Sequence, residues 1–290
     1  MKECPTEILK AFPKRNLSLN KYTAGTVTIV GGSRCYNNAP VMTAIGARSG
    51  GAGLIHLVVP DASRISAGAH IPEATFLKLT PVCVPPKADV FAVGMGLGTT
   101  ETPELLVSRL LSGRTGRFVL DADALNVLAK WYASKPALPV FEGLTLVLTP
   151  HAGEAARLLA TTTDEVEANR EEAIKKLVER YRAVVVLKGP GTLVAAPGIS
   201  EIYKCEAGNP FMALGGMGDL LSGMIAARWA YLSHCENDED EIKLAYKAAC
   251  SSVWLHASAS DSLIEANPPV DPTVINVAHA VSSMRVALER

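Results

Sequence analysis

The sequence predicts an α/β fold in which a mostly parallel sheet is covered by helices on both faces. Three observations lead there. Short β-branched runs alternate with longer amphipathic stretches, the pattern of strands linked by crossover helices. The strand runs are almost continuously apolar, as strands buried on both faces are. Aromatic residues make up only 6% of the chain while glycine occurs 23 times, which suits an aliphatic interior with many tight turns.

The first strand is Thr26–Val30, ending at Gly31-Gly32-Ser33, and a helix of small residues follows over about residues 40–49. Gly50-Gly51-Ala52-Gly53 breaks that helix, and Leu54–Val59 closes a βαβ unit. Further strands are expected at residues 89–93, 118–120, 144–148 and 183–187. Two weaker runs, 192–195 and 201–204, read as an antiparallel hairpin turning at Pro197-Gly198. The last third is mainly helical, over about residues 219–233, 241–263 and 272–289. No internal repeat or long linker interrupts the pattern, so residues 1–290 are expected to form one domain.

Composition narrows the function. A formal charge of −1 argues against a dedicated nucleic-acid binder, which needs a basic face for phosphates. No run approaches the ~18 apolar residues of a membrane span, and Met1-Lys2-Glu3-Cys4-Pro5-Thr6-Glu7 lacks the apolar core of a secretory signal. The six scattered cysteines contain no CxxC pair and read as reduced thiols, so the expected compartment is the cytoplasm. The six histidines show no zinc-binding spacing, and no direct metal site is expected. The acidic run 236–241 reads as a solvated helix start, and His256 as a packed residue.

Five strand ends run into Gly31-Gly32-Ser33, Gly94-Met95-Gly96-Leu97-Gly98, Asp121-Ala122-Asp123, Thr149-Pro150-His151 and Lys188-Gly189. Parallel strands place all five turns on one carboxyl rim, where open α/β sheets bind ligands. Glycine and aspartate are also ordinary turn and cap residues. Five such turns together, with a lone His and a lone Lys, favour a site.

The sharpest segment is Gly215-Gly216-Met217-Gly218-Asp219, leading directly into an apolar helix. Glycines allow close backbone approach, and the N–H groups at a helix start form an anion site. Gly215, Gly216, Met217 and Gly218 are thus the candidate anion hole, with Asp219 placed to take a proton from a hydroxyl. An acid in the first helical turn is favourable without any catalysis. A plain cap, however, needs only one or two permissive residues. Lys188-Gly189-Pro190-Gly191-Thr192 is a second candidate nucleotide loop. Neither GxxxxGK[ST] nor a strand-linked GxGxxG is present.

Taken in order, these motifs resemble the ADP- or ATP-dependent NAD(P)H-hydrate dehydratase family, a branch of the ribokinase-like superfamily. The resemblance rests on Gly31-Gly32-Ser33, Tyr36, Ala39-Pro40, the Gly94–Gly98 and Asp121–Asn126 segments, Thr149-Pro150-His151-Ala152-Gly153-Glu154, Lys188-Gly189, Asn209 and Gly215–Asp219. It covers about residues 21–260; residues 1–20 and those after about 267 match poorly.

The resemblance implies a three-layer αβα sandwich and a repair reaction. Hydrated NADH or NADPH is phosphorylated at its C6 hydroxyl by ADP or ATP, with Mg²⁺, and phosphate then leaves. It further implies Asp219 as base and Gly218 as phosphate cradle. Lys188, Gly189, Pro190, Gly191 and Thr192 would contact the nucleotide, and Ala39, Gly96 and His151 would line the dinucleotide pocket. Asn126 and Glu154 would orient waters of a magnesium ion held mainly by phosphates. A homo-oligomer is implied, and so is reliance on a separate epimerase or on spontaneous interconversion, because only ~20 residues precede the first strand, too few for a second domain.

The chain departs from the family at Asn38, Met95, Ala152, Met217 and Phe211; a small residue is usual at the last position, and the substrate loop is affected most. Two other readings share the glycine loop: a kinase of a small alcohol or vitamin precursor, and a non-catalytic adenine-nucleotide sensor. The Gly31-Gly32-Ser33 and Thr149-Pro150-His151 motifs count against the first, and retention of Asp219 against the second.

Overall fold

The computed structural model describes residues 4–80, 82–98, 101–112, 115–134, 143–236 and 238–290. From the amino end run α1 (Thr6–Leu9), β1 (Thr26–Val30), α2 (Ala39–Gly50), β2 (Leu54–Val59), α3 (Asp61–His70) and β3 (Thr75–Lys78). Next come β4 (Val90–Val93), α4 (Glu101–Leu111), β5 (Gly116–Leu120), α5 (Asp123–Ser134), β6 (Leu144–Leu148) and α6 (Ala152–Leu159). They are followed by α7 (Thr163–Ala168), α8 (Arg170–Tyr181), β7 (Val184–Leu187), β8 (Leu193–Ala196) and β9 (Ile199–Lys204). A 3-10 turn (Pro210–Met212) leads into α9 (Met217–Cys235), α10 (Glu241–Ile264) and α11 (Val274–Leu288).

Alternate residues of each central strand enter two different cores, because successive side chains of a strand point to opposite faces. Val184 and Val186 of β7 join the core under α2, α9, α10 and α11, whereas Val185 and Leu187 join the core under α4, α5, α6 and α8. The same split divides Val90 and Ala92 from Phe91 and Val93 in β4. Three layers result, as the resemblance implied. Among the described residues nine strands lie in the order β3-β2-β1-β4-β5-β6-β7-β8-β9, parallel from β3 through β7, with β8 antiparallel to its neighbours on both sides. The order reverses between β1 and β4, so the crevice of this sheet opens beyond Val30 and Val93.

The structure adds one strand that the sequence pattern does not show. β3 is an exposed edge strand with only Phe76 partly buried, so it carries no apolar run. The hairpin forms as expected, with Gly198 at φ +73° in its turn. α9 starts two residues before the expected boundary, at Met217. Asp240 caps α10 through the N–H groups of Ile242 and Lys243, the role expected of the acidic run; Asn237 of that run lies outside the described residues. His256 is buried, and burial pushes its imidazole down to about 4, so it is neutral packing.

α2 and α9 meet backbone to backbone. A Cβ on Gly46 would lie 2.0 Å from the Leu220 carbonyl oxygen, and one on Gly223 would lie 1.9 Å from the Thr43 oxygen. Only glycine permits this approach, which fixes the start of α9 against the middle of α2. The poorly matching termini are joined at the far end of these helices. Buried Glu289 pairs with Arg228 and Arg15, each at 2.7 Å, and with Arg285 at 2.5 Å.

Candidate active site

Gly216 caps α9 in the left-handed region, at φ +96°, and offers no side chain to the helix start. The Met217 N–H reaches the Leu214 oxygen at 3.4 Å. Among the described residues, the N–H groups of Gly215, Gly216, Gly218 and Asp219 make no hydrogen bond. The expected anion hole therefore keeps its glycines, while Met217 has already spent its donor. Asp219 occupies the third position of α9, where the helix dipole also favours negative charge.

Beside this helix start the ends of β5, β6 and β7 assemble a charged cluster. Lys188 Nζ donates to Asp121 Oδ1 at 2.8 Å and stands 4.0 Å from Glu154 Oε2. A Cβ on Gly218 would lie 3.2 Å from the same nitrogen, so the ammonium sits against the Gly218 backbone. Burial works against charge on Lys188, but the Asp121 and Glu154 carboxylates outweigh it and raise its pKa above the ordinary value. Glu154 is raised chiefly by burial.

Asp219 is the exception in the cluster. Among the described residues no hydrogen bond or ion pair reaches its carboxylate. Burial pushes that carboxyl up to about 7; the charges of Asp121 and Glu154 raise it further, and Lys188 opposes them. An acid poised near neutrality with no resident partner is what a general base requires.

The Lys188–Thr192 loop is closed by Thr192 Oγ1 donating to the Gly189 oxygen at 3.0 Å. Two cations that the sequence reading missed flank it. Arg170 donates to the Leu187 oxygen at 3.0 Å and lies against Gly189, and the Lys204 side chain lies against Gly191. At the crevice, Gly96 abuts both Tyr36 and Ala39, so two of the expected pocket residues meet. His151 is the cap of α6: its Nδ1 accepts from the N–H groups of Gly153 (3.0 Å) and Glu154 (3.4 Å), and its own N–H donates to Glu154 Oε2 at 2.9 Å. The imidazole remains exposed at the rim.

Asn126 is not brought into the cluster. It donates to Asp123 Oδ1 at 3.2 Å and accepts from Arg157 at 2.8 Å, whereas Glu154 faces Lys188. Asn209 is held by Ser260 (3.0 Å) and Asp261 (2.8 Å) of α10, partners some fifty positions away that no local pattern announces. Phe211, just beyond, is exposed.

A sequence-family profile described as NAD(P)H-hydrate dehydratase matches residues 27–279, which include every motif of this cluster. The chain belongs to that family. It is 35% identical over 256 residues to the ADP-dependent (S)-NAD(P)H-hydrate dehydratase of Neisseria meningitidis, covering 88% of this chain and 82% of that one. It is 36% identical over 261 residues to a bifunctional NAD(P)H-hydrate repair enzyme of Gloeobacter violaceus, covering 86% of this chain but 47% of the relative. The chain thus spans about half the length of the bifunctional members it matches.

The fold of the dehydratase family is shared in solved structures. The ADP/ATP-dependent NAD(P)H-hydrate dehydratase of Bacillus subtilis, co-crystallised with ATP and Mg²⁺, superposes with a TM-score of 0.82 at 24% identity, covering 98% of each chain. Adenosine kinase from Sinorhizobium meliloti, at 12% identity and a TM-score of 0.52 over 89% of this chain and 90% of that one, places the same layers among ribokinase-like folds.

Proposed function

We propose that this chain restores hydrated NADH and NADPH, using ADP or ATP as phosphoryl donor. The observation that carries this reading is the unpaired Asp219 carboxylate, one residue beyond the Gly218 amide and beside the Lys188 ammonium. Asp219 takes the proton of the C6 hydroxyl as its oxygen bonds to phosphorus, and the anhydride P–O bond breaks with its electrons leaving on the nucleotide. In the second stage the C6–O bond breaks, phosphate departs with the electron pair, and the neighbouring ring carbon loses a proton to water as its C–H electrons form the double bond. Hydroxide would be a poor leaving group; phosphate is a good one.

The Gly218 amide and Lys188 stabilise the charge on the transferring phosphoryl group. Gly189, Pro190, Gly191 and Thr192 hold the donor, while Ala39, Gly96 and His151 line the dinucleotide pocket. The oxygen-rich cluster suits magnesium, a hard cation that keeps much of its water and binds through phosphates. Glu154 would orient those waters, a role supported by its position 4.0 Å from Lys188 Nζ, whereas Asn126 is committed to Arg157 and Asp123. Magnesium bound with the donor would supply neutralising charge at the phosphates.

Relatives named as ADP-dependent dehydratases support the substrate, and the Bacillus subtilis structure co-crystallised with ATP and Mg²⁺ supports the donor class. The nine-stranded sheet of the described residues supports residues 1–290 as one domain. The family resemblance supports a homo-oligomer, a cytoplasmic location and coupling to an epimerase activity; among the described residues no helix is long and apolar enough to cross a membrane. The test is incubation with hydrated NADH and either ADP or ATP, following the returning dihydronicotinamide absorbance. Turnover with one donor is expected, and an inert protein with both donors overturns the reading.

A further inference from the structure

We infer that Asp121, clamped by Ser222, is a positioning residue that fixes the Lys188 ammonium against Gly218, where it meets the donor's phosphates. The inference deepens the proposed function and rests on its nucleotide reading. Ser222 lies one turn beyond Asp219 on α9 and is fully buried. Its hydroxyl donates to Asp121 Oδ2 at 2.6 Å, and Thr149 Oγ1 stands 3.4 Å from the same hydroxyl. The other oxygen, Oδ1, accepts from the Ala122 N–H at 2.8 Å and from Lys188 Nζ at 2.8 Å.

Both Asp121 oxygens are therefore occupied, and the carboxylate cannot rotate without leaving a buried donor unpaired. Ala122 supports it from a left-handed conformation, at φ +50°, which an L-residue adopts at a cost. Lysine has a long flexible stem, and three carboxylates face Lys188: Asp121 from the end of β5, Glu154 from α6 and Asp219 from α9. A clamped Asp121 selects among them. It leaves Asp219 without an ion pair and keeps two ammonium protons for phosphate oxygens. The path from Ser222 through Asp121 to Lys188 also ties the helix carrying the base to the strand end carrying the cation.

The test is a double-mutant cycle read by calorimetric ADP binding, which needs no turnover. Ser222→Ala is expected to weaken ADP roughly tenfold in the wild-type background. In a Lys188→Met background the same change is expected to shift affinity less than about twofold, because the effect acts through Lys188. An equal factor in both backgrounds, or no effect of Ser222→Ala on the wild type, overturns the inference while leaving the nucleotide reading intact. Failure of the wild type to bind either ADP or ATP overturns both. A second measurement covers poor folding of Lys188→Met: the ¹⁵N ammonium resonance assigned by its loss in Lys188→Arg. It is expected to be resolved in the wild type and lost in Ser222→Ala; an unchanged resonance overturns the inference.

Discussion

Replacing Asp219 by Asn is expected to remove turnover and yet stabilise the protein above neutral pH. Burial raises this carboxyl from an ordinary 3.8 to about 7 against the opposing charge of Lys188, and among the described residues no hydrogen bond or ion pair holds its ionised form. An acid with a folded value above its unfolded one contributes stability that is complete below the unfolded value and is lost as pH rises through the folded value. A rise of this size corresponds to about 4 kcal/mol at ~1.4 kcal/mol per tenfold change. Solvent at the partly exposed carboxylate reduces the figure to about 2–3 kcal/mol. Asn cannot ionise and escapes that loss. The gain of the Asp219→Asn variant over wild type should therefore grow between pH 4 and 7 and then level off. For a chain of this length it corresponds to a Tm rise of roughly 5 °C or more at pH 8. Urea or thermal unfolding of both proteins at pH 5 and pH 8 measures it. A gain equal at the two pH values, or a loss at both, would refute an uncompensated buried base at this position.

Four further outcomes follow from the same geometry. Because Asp219 must be ionised to accept a proton, kcat/KM should fall about tenfold per pH unit below 7, measured by recovery of dihydronicotinamide absorbance. Asp219→Ala should abolish turnover and leave calorimetric ADP binding measurable; a fully active variant would remove Asp219 from its role. Gly223→Ala drives a methyl into the Thr43 carbonyl, so it should cost about 3 kcal/mol in urea unfolding and lower activity by separating α9 from α2. Glu289→Gln leaves the buried Arg228 guanidinium without its counter-charge and should cost about 3 kcal/mol while sparing KM, since the pair lies away from the rim.

Much of the architecture was legible because strands buried on both faces are apolar at every position. Val184, Val185, Val186 and Leu187 read as a strand from composition alone, and each is fully buried. Three of the five rim turns, at Gly31-Gly32, Gly94–Gly98 and Gly189, were legible for a related reason: a strand end that must approach a ligand or another backbone spends glycine there. β3 failed on the same logic, since an exposed edge strand has no burial to encode. Asp219, Lys188 and Gly218 could be named from motifs, but their mutual arrangement could not. Asp121 looked like a turn residue in the sequence, and Ser222 like one more small residue of an apolar helix. What makes them a unit is a pair of hydrogen bonds across 101 and 67 positions of chain. Local patterns record periodicity and turns; they hold no trace of which carboxylate a buried lysine selects. That selection is what leaves Asp219 unpaired, so the property most needed for the proposed chemistry is set by a long-range pairing of Asp121 with Ser222 and Lys188.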